Sequence, residues 1–322
     1  MLRRQDVGHR VVVRRIVGVS ADRTLFSDAL GELVDLTETD LTIATAHGTV
    51  RVPLHEVHRA KRVPIARRPP AAEVIALELA ANDAWPAPVQ ARLGSWILRS
   101  AENWTGRANS ALAVGDPDRP LEEAIDAVVR WYADRGQQAL INAPMPLAAP
   151  VNAALDERGW AARPLTLVQI APLTRLLAEP VRTDLPPVAL ADAPSDDWYA
   201  MVADHKGTLP AAARRVLTGV PQTVFAQVRD AEGDLLAVAR GVVTGQPGRL
   251  GVSLLQTAPN ARRTGLGAHV VRAMAQWASQ HGATRSYLQV EERNTPAVTL
   301  YGKLGFATHH TYLTRVEPGY AT

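Results

Sequence analysis

Residues 252–272, VSLLQTAPNARRTGLGAHVVR, have the residue types and spacing best suited to chemistry. The apolar run that ends at Thr257 predicts a buried strand, and Pro259 stops it. Two arginines and two glycines follow in the order ARRTGLG, with a helical pattern directly behind them. Glycine lets the backbone turn its N–H groups inward, and a helix N-terminus adds about half a positive charge. We therefore expect this loop to bind a ligand that carries phosphate.

A second stretch, residues 286–306, carries further candidate polar side chains. Its first seven residues, SYLQVEE, predict a strand. The segment RNTPAVTLYGKLG then predicts a helix that Thr295 caps and Pro296 begins. Gly305 ends that helix, and a last strand follows.

Together the two stretches resemble motifs A and B of the GNAT superfamily of acyl-CoA N-acyltransferases. The pattern R/Q-x-x-G-x-G/A is met by Arg262, Gly265 and Gly267. The second motif, N-x-x-A…L-Y-x-x-L-G-F, is matched by Asn294, Ala297, Leu300, Tyr301, Leu304, Gly305 and Phe306. The resemblance covers residues 190–316 and implies an acyltransferase that uses acetyl-CoA as cosubstrate.

The resemblance also implies a cofactor site. Backbone groups on the strand before the loop would pair with the pantetheine arm, and backbone N–H groups of residues 263–268 would surround the pyrophosphate. Asn294 would hydrogen-bond the cofactor, and Tyr301 would be the catalytic general acid beside the thioester sulfur. The implied cofactor-binding residues are Leu255, Gln256, Thr257, Arg262, Arg263, Thr264, Gly265, Leu266, Gly267, Ala268, Asn294 and Tyr301. No metal is expected.

The base that would accept a proton from the attacking amine is left open. Many GNAT enzymes have a glutamate on the strand before the loop, where this chain has Gln256. The alternatives are Glu291, Glu292, His309 and His310, acting directly or through water. An α-amino group, with a pKa of about 8, is partly neutral at pH 7, whereas a lysine, at about 10.4, needs a base.

The chain contains an internal repeat. APVNAALDERGWAARPLTLVQI (149–170) aligns without gaps to residues 295–316, at an offset of 146. The earlier copy has AVGDPDRPLEEA (113–124) in place of the glycine loop, and its carboxylates would repel a phosphate. Leu155 stands where the later copy has Tyr301. We therefore expect a cofactor site only in the C-terminal half.

Short alternating runs in the first 65 residues predict four or five strands of a small barrel. Their order resembles the SH3-like domain of some actinobacterial acetyltransferases, and residues 66–72 predict a linker. His47, His55 and His58 are interpreted as surface histidines. The expected fold is α+β or α/β: an SH3-like β-barrel (1–65), a degenerate GNAT-like mixed-sheet domain (71–175) and a catalytic GNAT domain (186–322).

Composition excludes several classes of protein. The chain has 322 residues, 47% of them hydrophobic, with a net charge of +3 and no cysteine. It therefore has no disulfide, thiolate metal site or cysteine nucleophile. Residues 1–70 hold 12 Lys/Arg against 8 Asp/Glu, an excess that fits ordinary surface arginines. We see no signal peptide or membrane span and expect a cytoplasmic protein without a nucleic-acid partner.

Three functions are compatible with these patterns. The first is an acetyl-CoA-dependent N-acetyltransferase whose acceptor is an amine on a small molecule or a protein, with a homodimer as a possible assembly. The second is a non-catalytic acyl-CoA-binding or regulatory protein whose SH3-like domain binds a partner or nucleic acid. The third is an acetyltransferase similar to mycothiol synthase, which has tandem halves but lacks the N-terminal barrel.

Overall fold

The computed structural model describes residues 2–20, 23–45, 48–63, 69–207 and 209–319. They form two compact units, Met1–Arg68 and Pro69–Thr322. His47 and residues 66–68 of the predicted linker lie outside the described residues, and the last two residues of that linker are helical.

The first unit is a five-stranded antiparallel sheet. Its strands are β1 (Arg10–Ser20), β2 (Arg23–Leu36), β3 (Asp40–Thr45), β4 (Gly48–Pro53) and β5 (Val57–Arg62). Their order is β4-β3-β2-β1-β5. Short 3₁₀ helices at Arg4–Asp6 and Leu54–Glu56 flank the sheet. The core of this unit is formed by alternating residues of these strands, among them Val11, Leu33 and Ile43. This follows because successive side chains of a strand point to opposite faces of the sheet.

The second unit begins with a helix and then alternates strands and helices. Its first part comprises α1 (Ala71–Asp83), β6 (Val89–Leu93), β7 (Trp96–Ser100), β8 (Ala111–Leu112), α2 (Leu121–Ala133), β9 (Leu140–Met145), α3 (Ala149–Glu157), β10 (Ala161–Ala162) and β11 (Thr166–Pro172). Strand β6 was not predicted, and β8 has only two residues. Gly94 and Ser95 form the turn between β6 and β7, whose strands pair from Leu93↔Trp96 outward.

The remaining elements follow in the order that motifs A and B imply. They are α4 (Leu173–Leu177), β12 (Ala189–Ala191), α5 (Asp196–Lys206), α6 (Ala211–Thr218), β13 (Thr223–Arg229), β14 (Leu235–Thr244), β15 (Arg249–Thr257), a 3₁₀ helix (Pro259–Ala261), α7 (Leu266–Gln280), β16 (Arg285–Glu291), α8 (Thr295–Lys303) and β17 (Ala307–Val316). Helices α3 and α8 begin and end 146 residues apart, the offset of the sequence repeat.

One twelve-stranded mixed sheet runs through the whole second unit. Its order is β12-β13-β14-β15-β16-β11-β17-β9-β8-β7-β6, and β10 pairs with β17. The pairs β15–β16 and β8–β9 are parallel, and the other pairs are antiparallel. Strand β11, the last of the earlier repeat, lies between β16 and β17, and β17 in turn pairs with β9. Each repeat therefore gives its last strand to the other repeat's part of the sheet.

Helices cover both faces of the sheet. Val224, Ala226 and Val228 of β13 pack in one cluster with α7, whereas Phe225 packs with Trp198 of α5. Successive strand side chains point to opposite faces, so α7 and α5 lie on opposite sides.

Helix α1 is fixed to the sheet by buried polar contacts. The Nε2 atom of His310 on β17 lies 2.7 Å from Oε1 of Glu78, and both residues are at least 95% buried. The carbonyl oxygen of Ala80 accepts hydrogen bonds from Thr244 Oγ1 (2.8 Å) and from the Tyr287 hydroxyl (3.2 Å). A buried carboxylate requires such a partner, because its transfer from water is otherwise costly.

We expect His310→Ala to lower the free energy of unfolding of the second unit by about 3 kcal/mol, since it leaves the Glu78 carboxylate buried without its partner. The double variant E78L/H310L should lose less free energy of unfolding than His310→Ala, because no charge remains buried. Urea unfolding followed by tryptophan fluorescence tests this, as all seven tryptophans lie in the second unit. Equal losses in the two variants would contradict the expectation.

Candidate functional site

Strands β15 and β16 separate halfway along their length. They pair in parallel only from Arg249↔Arg285 to Val252↔Leu288. Just beyond, β15 has one residue more than β14, and Leu254 in this bulge has a φ of +54°, in the left-handed region. A bulge bends its strand and leaves one residue outside the ladder. The backbone of β15 is thus turned away from β16 where the sequence predicts pantetheine binding.

The loop after β15 has the backbone form that an anion site needs. Gly265 is the N-cap of α7 with a φ of +97°, and Arg263 has a φ of +65°. A Cβ at Gly267 would lie 2.8 Å from Cδ2 of Leu300 on α8 and 3.7 Å from Cδ2 of Leu255 on β15. The first N–H groups of a helix have no partner within the helix. The second glycine therefore allows the loop to approach α8 and β15 closely.

Arg182, which the sequence did not single out, lies against this loop. Its Nη2 atom donates to the Thr264 carbonyl oxygen at 3.4 Å, and a Cβ built on Gly265 would lie 2.5 Å from Nη1. Arg182 also pairs with Asp184 at 2.6 Å, and the hydrogen bond from its guanidinium lowers the pKa of Asp184 to about 2. Arg182 lies in a proline-rich link without periodicity, so no sequence signal pointed to it.

Helix α8 holds the two side chains of the second motif. Asn294, not Thr295, is the N-cap: its Oδ1 accepts from the Ala297 backbone N–H at 3.3 Å, and Thr295 is the first helical residue. The prediction of a Thr295 cap was therefore wrong. Tyr301 is 8% exposed with its ring 5.7 Å from that of Phe306, and burial raises the pKa of Tyr301 to about 12.

A cleft of about 500 Å³ opens where the strands separate. Tyr301, Asn294 and Glu291 border it on one side, and Leu255 and Gln256 border it on another. The Nε2 atom of Gln256 is buried and has no hydrogen-bond partner among the described residues. Pockets of this size suit small ligands.

Two of the sequence-predicted residues face a different cavity. Thr257 and Arg262 border a second cavity of about 530 Å³, together with residues of α5 and the β13–β14 turn. Gln256 borders both cavities, so the end of β15 forms the wall between them.

The four base candidates lie in different places. Glu291 borders the cleft and pairs with Arg293 at 2.7 Å, whereas Glu292 is exposed. His310 bonds Glu78, and His309 Nε2 lies 3.6 Å from Glu73 Oε2, so both histidines face α1 and border neither cavity. Burial lowers the pKa of His309. Only Glu291 of the four is therefore at the cleft.

The first part of the second unit supplies a wall of the cleft. Its contributing residues are Trp85, Thr105, Gly106, Arg107, Arg163, Pro164 and Thr166. Three nearby residues that are not glycine have left-handed backbone: Glu102 (φ +50°), Asn103 (φ +59°) and Thr105 (φ +62°). Such conformations persist where the surroundings fix them, and they concentrate at functional sites.

Buried Asn109 fixes this loop. Its Oδ1 accepts from the backbone N–H groups of Ala101 (2.7 Å) and Asn103 (3.1 Å). Its Nδ2 donates to the carbonyl oxygens of Trp104 and Thr105, both at 2.8 Å. A single side chain thus satisfies four backbone groups of loop 101–110.

The counterpart of the glycine loop in the earlier repeat is different. Helix α2 begins behind Pro120, and Glu122 near its start pairs with Arg158. Leu155, at the position equivalent to Tyr301, is fully buried. The earlier repeat therefore has carboxylates and an ion pair near the start of α2, and a buried leucine in place of the tyrosine.

Comparison with known proteins identifies the family. A family model described as "Probable histone acetyltransferase Rv0428c C-terminal" matches residues 71–314. The chain belongs to this family. It is 29% identical over 262 residues to the probable histone acetyltransferase Rv0428c of Mycobacterium tuberculosis, a match that covers 78% of this chain and 77% of that protein. It is also 41% identical over 68 residues to the uncharacterized N-acetyltransferase YobR of Bacillus subtilis, covering 20% of this chain and 28% of that protein.

Solved structures share the fold. A GCN5-related N-acetyltransferase from Kribbella flavida superposes with a TM-score of 0.60 at 17% identity, covering 79% of this chain and 97% of that one. A tandem GNAT protein from the clavulanic acid biosynthesis pathway gives 0.52 at 17% identity, covering 76% and 89%. The expectations of a GNAT-like mixed-sheet fold and of a GNAT-type acyltransferase are thereby confirmed.

The described residues contain neither a membrane-spanning helix nor a cluster of metal ligands. None of their helices combines the length and apolarity that crossing a bilayer requires. No group of three or more His, Asp or Glu side chains is arranged to hold a metal ion within those same segments.

We expect Asn109→Ala to destabilise loop 101–110 by about 2–3 kcal/mol, because four backbone groups lose their partners. Hydrogen exchange of the loop amides should accelerate while that of α7 stays unchanged. Asn142→Ala, at a buried asparagine elsewhere in the sheet, is the control. Unaltered exchange in the loop would show that Asn109 does not hold it.

Proposed function

We propose that this chain is a cytoplasmic N-acetyltransferase that transfers an acetyl group directly from acetyl-CoA to an amine, with Tyr301 as the general acid. The observation that carries the proposal is that the bulged end of β15 and the Tyr301 side chain border one cleft. The glycine loop lies against the same two elements, since Gly267 approaches Leu255 of β15 and Leu300 of α8. The pantetheine arm would lie along the bulge and the pyrophosphate at the N-terminus of α7.

The reaction moves one proton from nitrogen to sulfur. The amine lone pair forms the C–N bond at the thioester carbonyl, the C–S bond breaks, and the sulfur leaves with its electron pair. With a pKa of about 12, the Tyr301 hydroxyl keeps its proton at pH 7 and can donate it to the departing thiolate. The proton that the nitrogen loses then restores the hydroxyl, directly or through water, since a tyrosinate of that pKa does not persist at neutral pH.

The attacking amine must reach the cleft in its neutral form. Glu291 is the carboxylate that borders the cleft, and it is already paired with Arg293. Gln256 supplies no base. An amine with a lowered pKa would therefore react more readily than a lysine side chain.

We extend the proposal to domain organisation. The five-stranded first unit fits an SH3-like domain, and the two repeats fit tandem GNAT-like halves of which the earlier binds no acyl-CoA. The carboxylates before α2 and the buried Leu155 support the second part.

The second candidate function is acyl-CoA binding without transfer. It is favoured by Gln256, an amide at the strand position where a base is expected. Thiol release from acetyl-CoA across a panel of amines separates the two functions, and the chain has no cysteine to raise the background. Tight binding without turnover of any amine would favour the second candidate.

We expect Gly265→Asp to weaken acetyl-CoA binding about 100-fold or more, because it puts a carboxylate where phosphate would bind. Gly282→Asp is the matched control. It also has a left-handed φ, +81°, but lies at the other end of α7 with no atom within 4 Å of the added Cβ. Calorimetry with both variants measures the effect, and equal affinities would refute the placement of the phosphates.

We expect Tyr301→Phe to lower kcat by about 10²–10⁴-fold with little change in acetyl-CoA affinity, since it removes the proton donor and keeps the ring. Tyr199→Phe is the control, because Tyr199 is equally buried, at 8% exposed, and borders neither cavity. Steady-state kinetics measures kcat, and calorimetry measures the affinity for acetyl-CoA. An unchanged kcat in Tyr301→Phe would remove Tyr301 from the acid role.

A further inference from the structure

Two arginines border the cleft without a carboxylate partner. In the described parts of the chain, neither Arg107 nor Arg163 forms an ion pair, and neither side chain donates a hydrogen bond. The Nε atom of Arg107 is buried, and the contact of its guanidinium is the Trp85 ring, 5.4 Å away. Arg163 crosses the same loop, since a Cβ built on Gly106 would lie 2.5 Å from its Nη1. Arg163 is exposed, whereas Arg107 is half-buried, and a half-buried guanidinium without an acceptor is costly unless a ligand supplies one.

The structure behind this wall adds positive charge. Arg99 and Arg240 are each at least 98% buried, and burial lowers the pKa of Arg99 to about 10 and that of Arg240 to about 9. Both therefore stay protonated at pH 7. Arg240 donates to the carbonyl oxygens of Ala84, Val216 and Leu217. Carbonyl dipoles solvate this cation without neutralising its charge.

The rest of the cleft is mostly polar and uncharged. Nine hydroxyl and amide side chains line it, among them Thr166, Gln256, Gln289 and Asn294. The lining carboxylate, Glu291, is paired with Arg293. The positive charge of Arg107 and Arg163 is thus not balanced within the lining.

We propose, resting on the acetyl transfer proposed above, that the acceptor is a small amine that also carries a carboxylate or a phosphate, and that Arg107 binds this anionic group. The amine would point toward Tyr301 and the open end of β15, which border the same cleft. The anionic group takes no part in the bond changes. Its charge-assisted hydrogen bonds with Arg107 orient the amine.

The charge of the wall disfavours a lysine-rich peptide. Such a peptide would bring further cations next to Arg107 and Arg163, and like charges repel across an interface. The second cavity offers acidic groups, Asp204 and Asp234 among them, but Tyr301 does not border it. The alternative hypothesis is that a cationic amine binds in this second cavity, and the test must be able to detect it.

The test compares matched amines as acceptors in a thiol-release assay with the full chain. The pairs are alanine with alaninamide and phosphoethanolamine with ethanolamine, and a lysine-rich peptide is added. Each pair differs in its anionic group, and the two pairs distinguish a carboxylate from a phosphate. Alaninamide has the less basic amine, so a preference for alanine cannot arise from a larger neutral fraction. We expect kcat/KM to be higher for the anionic member of at least one pair.

Three variants test whether Arg107 is the residue that binds the anionic group of the acceptor. Arg107→Gln should raise KM for the preferred anionic amine about 10- to 100-fold and leave KM for its neutral partner and the affinity for acetyl-CoA unchanged. Arg119→Gln removes an exposed arginine outside both cavities and should change nothing. Asp204→Asn, at the second cavity, should also leave KM unchanged.

Several outcomes would overturn the inference. These are equal kcat/KM within both pairs, a preference for the lysine-rich peptide, equal KM values for Arg107→Gln and Arg119→Gln, or a KM effect confined to Asp204→Asn. Failure of the proposed acetyl transfer gives a different result from failure of this inference. In that case acetyl-CoA would not bind in calorimetry, or no amine in the panel would release thiol. Either of those results removes both proposals.

Discussion

Strand β15 carries one residue more than β14 over the same span, and the geometry of the candidate site depends on this bulge. The extra residue places Leu254 in a left-handed conformation and ends the parallel pairing with β16 at Val252. In a continuous sheet the backbone groups beyond that point would bond the neighbouring strand. Here they are turned toward a cleft, where a ligand with amide groups can satisfy them. Leu255 and Gln256 of β15 and Tyr301 of α8 then border one opening.

The neighbours of β16 show how the two repeats depend on each other. Since β11 pairs with β16, the floor of the cleft includes Thr166 of the earlier repeat as well as Gln289 of the later one. Loop 101–110 and Trp85 complete the wall. The earlier repeat, without a glycine loop of its own, thus helps to shape the cleft of the other.

Local patterns predicted the later repeat well. The glycines at 265 and 267, the strand that ends at Thr257 and the helix that holds Tyr301 are set by short-range chemistry, so a single stretch of sequence indicates them. The capping residue was missed by one position, because both Asn294 and Thr295 are good caps and only the geometry decides between them. Strand β6 is hard to predict because its alternating run, VQARL, has only five residues and directly follows Pro86 and Pro88.

The rest of the cleft depends on long-range contacts. Arg107 and Arg163 meet the site because β11 and β17 exchange places, and no local pattern encodes which strands pair across 140 residues. Arg182 lies in a link whose prolines predict only an extended chain. The buried pair of Glu78 and His310 likewise joins residues far apart in sequence, so no local pattern indicates it.

Strand exchange constrains how such a chain can change during evolution. After a duplication, two independent copies would allow one to be deleted without harm to the other. Here β11 and β17 each complete the sheet of the opposite copy, so the loss of either would expose unpaired strand edges. A substitution in one half of the sheet therefore also affects the strands of the other half. The cleft is an example, because residues 105–107 and 163–166 of the earlier half line it together with β15 and α8.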